Sequence, residues 1–180
     1  MAELRVPVSH DDHVQGPDDA PVTLVEYGDY QCPYCSAAHP VVKALQNRFG
    51  DQLRFVFRHF PLTEIHPLAE PASETAEFAG AHGRFWDMHD ALYENQDQLG
   101  IPLFFALTGA LGLSEVELRD SLEEHRFAGR IKRDVLGGVR SGVNGTPSFF
   151  INGQRHDAGY DFPHLAAAIE ARLMPLQARL

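Results

Sequence analysis

Apolar positions recur along this chain with two different periods, and the changes of period mark out its elements. Val22-Thr23-Leu24-Val25-Glu26-Tyr27 is apolar on both faces except at Glu26, the pattern of a strand buried inside a sheet covered on both sides. From Tyr34 to about Phe49 the period becomes helical, with Val41, Val42, Leu45 and Phe49 following one another and Gly50 placed as the C-cap. Pro40 removes one hydrogen bond inside that helix and predicts a kink near Ser36. Leu53 to Phe60 alternates again and reads as the next strand, ended by Pro61. The result is a β-α-β unit with a right-handed crossover. Ahead of it, His10 to Pro21 carries four aspartates, two prolines and Gly16, which reads as a polar arm with His10 and His13 in solvent.

Between Leu62 and Val143 no comparable strand pattern occurs. Pro67 to Ala81 is rich in Ala and Glu. Phe85, Met88, His89, Leu92 and Tyr93 make one face of a second helix, and Leu103 to Leu111 gives a third. Ser114-Glu115-Val116-Glu117 is a capping-box pattern opening a fourth, and Phe127, Ile131, Val135 and Val139 stripe a fifth. Gly145-Thr146-Pro147 then introduces the strand Ser148 to Ile151. Asn152-Gly153 predicts a two-residue hairpin to a short strand over about Arg155 to Ala158, and Phe162 to Leu173 is a closing helix. The fold class is therefore α/β, a central mixed sheet flanked by helices with an all-helical insertion. One domain over 1–180 is expected, its sheet-bearing core at about 20–61 and 144–174 and its insertion at about 62–143.

Composition narrows the function. A chain of 180 residues that is 44% hydrophobic can bury one good core. Its net charge of −10 argues against nucleic acid or an anionic membrane as partner, since both require a basic footprint. No apolar run is long enough to span a bilayer, and the first residues lack the charged start and apolar stretch of a secretory signal. A cytoplasmic location is expected on that ground, or a periplasmic one if the chain is the mature portion of a longer protein.

The only two cysteines form Cys32-Pro33-Tyr34-Cys35 at the junction of the first strand and helix. Pro33 suits the first helical turn, and Cys32 just ahead of it would face free backbone amides and the positive end of the helix dipole. That setting favours the thiolate. Two readings follow. One is a redox pair, in which an attacking thiolate forms a mixed disulfide and the second thiol resolves it. The other is half of a zinc site that recruits histidines such as His39 or His59. Glu26 is either a strand-end acid reaching solvent or a desolvated carboxyl beneath the pair that takes a proton from Cys35. The Thr146–Pro147 bond can be cis, although most X-Pro bonds are trans. His39 lies one turn after Cys35 and either packs or handles protons. Phe85, Trp86, Phe104 and Phe105 either belong to the core or line an apolar groove near the thiols.

Together, the run from Val25 to Cys35, Pro40, the helical insertion and Gly145-Thr146-Pro147 resemble the DsbA-like thiol-disulfide oxidoreductases from about Val22 onward. The resemblance implies a thioredoxin fold with a helical insertion and no bound cofactor or metal. It implies Cys32 as nucleophile, Cys35 as resolving thiol, Glu26 as buried acid, Pro147 as cis-proline, and Thr146, Pro147 and Tyr34 at the substrate. Partners would be protein or peptide thiols and disulfides, and a redox protein that recycles the pair. The Pro33-Tyr34 dipeptide resembles that of glutaredoxins, whereas strongly oxidising members carry Pro-His. Reduction and formation of disulfides thus both stay open, as do glutathione-dependent turnover and a non-catalytic zinc-holding or chaperone-like module.

Overall fold

The computed structural model describes residues 2–177. Among them five strands form one sheet: β1 (His13–Gln15), β2 (Val22–Gly28), β3 (Leu53–His59), β4 (Ser148–Ile151) and β5 (Gln154–His156), in the order β1-β3-β2-β4-β5. β2 is central, parallel to β3 and antiparallel to β4, so the sheet is mixed. Helix α1 (Pro33–Phe49) joins β2 to β3. Helices α2 (Ala69–Ala81), α3 (Phe85–Glu94), α4 (Ile101–Ala110), α5 (Glu115–Glu123) and α6 (Ala128–Arg140) lie between β3 and β4, and α7 (Phe162–Gln177) follows β5.

Local chemistry explains most boundaries. The amide of Ser36 bonds the carbonyl of Cys32 at 3.1 Å, closing the first turn of α1 behind Pro33. The helix continues through Pro40 as a single element and ends where the Gly50 amide bonds Gln46. Asn152 and Gly153 both take positive φ, 49° and 81°, as a tight hairpin with the right twist demands. β5 consequently begins at Gln154, one residue earlier than the alternation predicted. Ser114 caps α5 by accepting from the Glu117 amide at 3.2 Å.

The alternation of β2 divides its neighbours. Val22 and Leu24 face a large cluster with Phe55, Phe57, Phe149 and Ile151, to which α1, α3 and α7 contribute. Val25 and Tyr27 face a smaller one with Val56, Phe60, Val143 and Phe150. α2 packs against α3, α4, α5 and α6 and is buried almost all round, which its small alanines permit.

Two expectations from the pattern are corrected. The polar arm is not loose, because His13–Gln15 pairs antiparallel with Phe55–Phe57 and His13 leaves solvent, its ring stacked on Phe85 at 3.4 Å and its Nε2 2.6 Å from Glu77. His10 alone stays in solvent, its side chain 93% exposed. In α6 the inward face is Ile131, Asp134, Gly137 and Gly138, and Val139 is 57% exposed. A Cβ at Gly138 would come within 2.8 Å of the Phe60 ring and 3.0 Å of Tyr27, so close approach of the helix overrides the valine stripe.

The arm is fixed by Arg58, buried on the face of the smaller cluster. Its Nε and Nη2 donate to the two oxygens of Asp12 at 2.8 and 3.0 Å, while Nη1 and Nη2 reach the carbonyls of Val6 and Pro7. Burial alone would push the Asp12 carboxyl up, but Arg58 holds it below the usual range. Its contribution is thus complete above the ordinary aspartate pKa and lost as pH falls through the lower folded value. Asp12→Ala strands a buried guanidinium and is expected to cost about 3–5 kcal/mol of stability at neutral pH, read from urea denaturation midpoints. Loss of under about 1 kcal/mol would show that the arm does not depend on this pair.

Candidate active site

The residues between β2 and α1 are held by side chains rather than by regular structure. Asp29, fully buried, accepts at Oδ1 from the amides of Gln31 and Cys32 (2.7 and 3.1 Å) and at Oδ2 from the amide of Leu62 and the His66 ring (both 2.8 Å). Gln96 donates to the carbonyls of Tyr30 and Cys32 at 2.8 and 2.9 Å, and Gln31 accepts from the Leu68 amide at 2.7 Å. These bonds set Cys32 as the N-cap of α1, in extended conformation with Pro33 behind it.

Both cysteines are thiols, and their surroundings treat them oppositely. Cys32 is lowered to about 5. The hydrogen bond from the Cys35 thiol is the largest cause; burial opposes it, and Thr146 and the amides of Cys35 and Tyr34 at the helix start add to the lowering. Cys35 is raised well above the ordinary thiol value, first by burial, then by its bond to Cys32 and the nearness of Glu26. Cys32 Sγ lies 3.4 Å from the Thr146 carbonyl oxygen, a contact that a thiol makes as donor and a thiolate cannot make. The Thr146 side chain, whose hydroxyl is buried without a protein partner, favours the ionised form of Cys32. Exposure separates the sulfurs less than the motif predicted, since Cys32 is 3% exposed and Cys35 not at all.

Glu26 is 2% exposed. It sits between Phe57 of β3 and Phe149 of β4, and its Oε1 has no protein partner. This desolvation is the main reason its carboxyl is raised to about 8, with the Cys32 charge adding to it. The strand-end reading, in which Glu26 reaches solvent, is thereby excluded. The Thr146–Pro147 bond is cis. Tyr34 is 63% exposed beside the sulfur, and Tyr160 stands near Tyr34 and both cysteines while lining a small cavity with Pro147, Phe149 and His156.

The motif residues Cys32, Cys35, Glu26 and Thr146 thus come together, with Pro147 adjoining. Phe85 and Phe104 are buried in the large cluster and Trp86 and Phe105 pack against it, so these four aromatics are core, not a groove. Neither cysteine joins a group of three potential metal ligands among the described residues. His39 lies with His89 and Asp90, and His59 with His13 and Glu77, so the histidines a zinc site would recruit are engaged elsewhere. Sequence reading missed Asp29, Gln96 and Tyr160. Asp29, three residues before the N-cap Cys32 and bonded to the amide two residues on, is an Asx-turn signal that was available in the sequence; Gln96 and Tyr160 act across the fold and had none.

A cysteine pair at the start of the first long helix, a buried acid on the central strand and a cis-proline preceded by the residue whose carbonyl meets the Cys32 sulfur define a thioredoxin-type site on a mixed sheet. A thioredoxin family model matches residues 9–171, and the chain belongs to that family. Its DsbA-like form, with helices inserted between β3 and β4, is shared with BdbD from Bacillus subtilis (25% identity, TM-score 0.86, covering 96% of this chain and 98% of that one). The Wolbachia pipientis alpha-DsbA1 has the same fold (19%, 0.83, 98% and 97%). In sequence the chain is 47% identical over 170 residues to "Na(+)/H(+) antiporter NhaA 1" of Salinispora arenicola, matching 94% of this chain and 26% of that protein. It is 37% identical over 162 residues to a protein of the same name from a Mycobacterium species, matching 89% and 26%. The chain therefore spans about a quarter of the length of these relatives. No helix among its described residues is long and apolar enough to cross a membrane.

Two outcomes are expected from this electrostatic arrangement. Thiolate absorbance of the reduced parent should rise around pH 5 from Cys32, while Cys35 in Cys32→Ser should resist alkylation at neutral pH; titration of Cys32 like a free cysteine would contradict the site. Because Glu26 is raised in the folded state, the unfolded chain releases that proton first. The burial penalty is absent below about pH 4.5, grows to about pH 8 and is constant above. Glu26→Gln should gain stability relative to the parent on going from pH 4 to pH 7, by about 2–4 kcal/mol; equal shifts in urea midpoint at both pH values would count against it.

Proposed function

We propose that this chain, acting as one domain, is a protein thiol-disulfide oxidoreductase of the DsbA type that cycles between dithiol and Cys32–Cys35 disulfide without a bound cofactor. Cys32 is the attacking thiolate and Cys35 the resolving thiol. Glu26 exchanges a proton with Cys35, and Tyr34, Thr146 and Pro147 contact the substrate. The reading rests on one observation, the opposite treatment of two thiols one helical turn apart, Cys32 lowered to about 5 and Cys35 raised by burial.

In the reducing direction, Cys32–S⁻ attacks one sulfur of a substrate disulfide, forming a mixed disulfide and expelling the first substrate thiolate. Cys35 then gives its proton to ionised Glu26 and attacks the Cys32 sulfur. The Cys32–Cys35 bond forms, the second substrate thiolate leaves with the electron pair of the broken bond, and the substrate has gained two electrons. Disulfide formation runs the same steps backwards. Hydrogen bonds to the Cys32 thiolate exist only in the dithiol state and stabilise it, which favours the pair as an electron acceptor. A reducing cytosol would nonetheless hold the pair mostly as dithiol and an oxidising compartment as disulfide, so the compartment selects the direction. An extended peptide laid across Pro147 can pair with the Thr146 backbone while resting on exposed Tyr34. In the longer relatives named as antiporters, we infer that the matching quarter supplies a thiol-redox module to the remainder.

Capture of partners tests the proposal. In Cys35→Ser, Cys32 can form a mixed disulfide that no internal thiol breaks, so after acid quench and alkylation, substrates should run as conjugates on non-reducing gels. Protein conjugates that vanish in Cys32→Ser are the expected result. Glutathione as the sole adduct would move the assignment to glutathione-dependent turnover. No adduct, together with near-stoichiometric zinc in the reduced protein, would replace it with a binding module.

A further inference from the structure

The exchange just described places a proton on Glu26, a residue only 2% exposed. Among the buried side-chain atoms without a protein hydrogen-bond partner are Glu26 Oε1, the Tyr93 hydroxyl, His39 Nε2 and Asp90 Oδ1. Unpaired buried polar atoms are costly and ordinarily scattered. Here α1 and α3 supply the last three from facing sides. Cys35, His39 and Lys43 follow at successive turns of α1, and His89, Asp90 and Tyr93 share one side of α3, which packs against α1.

The inner end is fixed by Gly28, two residues beyond Glu26 on the same strand and therefore on the same face. A Cβ there would meet the Tyr93 hydroxyl at 2.9 Å, so that hydroxyl lies over the strand next to Glu26. The His39 ring stands 5.2 Å from the Tyr93 ring and 5.5 Å from that of His89, centroid to centroid. Its Nε2 is 3.7 Å from Asp90 Oδ1, and the Asp90 side chain is 30% exposed. His89 itself is occupied, since its Nδ1 is bonded to the Tyr30 hydroxyl at 2.9 Å. Lys43 Nζ, 2.7 Å from Asp90 Oδ2, leaves little place for a metal cation at the outer end.

We propose that Tyr93, His39 and Asp90 form the route by which the proton exchanged between Cys35 and Glu26 passes to and from solvent, hydroxyl to imidazole to carboxyl. The inference rests on the oxidoreductase reading. These are proton-carrying groups, and none of them supplies a reacting atom. Groups facing His39 are Cys35 and Lys43 on α1 and His89, Asp90, Tyr93 and Glu94 on α3. Burial lowers His39 most, ahead of the opposing pull of Asp90, which leaves the ring neutral at neutral pH and able to accept at one nitrogen while donating at the other. No electron moves along the route. In the resolving step Cys35 loses its proton to Glu26, the disulfide exchange proceeds as above, and Glu26 returns to its starting state by releasing that proton through Tyr93.

The test separates the two thiol steps in stopped flow with an aromatic disulfide reagent, which releases one coloured thiol when Cys32 attacks and a second when Cys35 resolves. Full-length Tyr93→Phe, His39→Ala and Asp90→Asn are compared with the parent across pH at low buffer concentration. The first release should be unchanged. The second should slow by about tenfold or more below neutral pH. Added imidazole should restore it in His39→Ala, and raised buffer concentration should restore it in Asp90→Asn. Second-phase rates and pH profiles equal to the parent's would overturn the route, and so would slowing that neither imidazole nor buffer relieves, which marks a packing role. A parent protein with no first release would instead overturn the oxidoreductase reading itself.

Discussion

The reactive end of this molecule depends on one buried carboxyl. Asp29 satisfies the amides of Gln31 and Cys32 on the loop before α1 and, with its other oxygen, the amide of Leu62 and the ring of His66 just past β3. Backbone groups in a buried loop have no ladder to pair with, and each left unpaired is costly. One side chain removes that cost on both sides of the gap between the sheet and the inserted helices. With Gln31 and Gln96 added, the position of Cys32 becomes a property of the insertion as much as of the helix it begins.

Around that frame, three ionisable groups share apolar surroundings that can hold one charge easily. Glu26 lies between two phenylalanines, Cys35 is sealed, and the charge on Cys32 is favoured by the Cys35 thiol, the Thr146 side chain and the helix amides. A negative charge on Cys32 raises both of the others, so ionisation at the three positions is coupled and the site carries its charge on Cys32. The asymmetry comes from where donors are, not from a large difference in exposure between the two thiols.

Much of this was legible in the chain. An acid interrupting Val22–Tyr27, a proline one residue into a helix between two cysteines, and Asn-Gly after an apolar tetrad each carry a local physical reason that survives folding. Features that escaped were set by distant partners. His13-Val14-Gln15 has no strand pattern of its own and becomes β1 because Phe55–Phe57 offers an open edge and Glu77 an acceptor. Val139 turns outward because paired glycines let α6 approach Tyr27 and Phe60. Nothing in the alternation of Leu53 to Phe60 announces that Arg58 is covered by Asp12 folding back over it.

Tyr34 is 63% exposed while the sulfur one residue before Pro33 is only 3% exposed. Exchange requires three sulfurs nearly in line, so a disulfide attacked by Cys32 as proposed must project from its own chain far enough to reach a residue that is almost wholly covered. Under the exchange proposed above, a bridge recessed in a compact fold meets that burial as a steric barrier, and a protruding one does not.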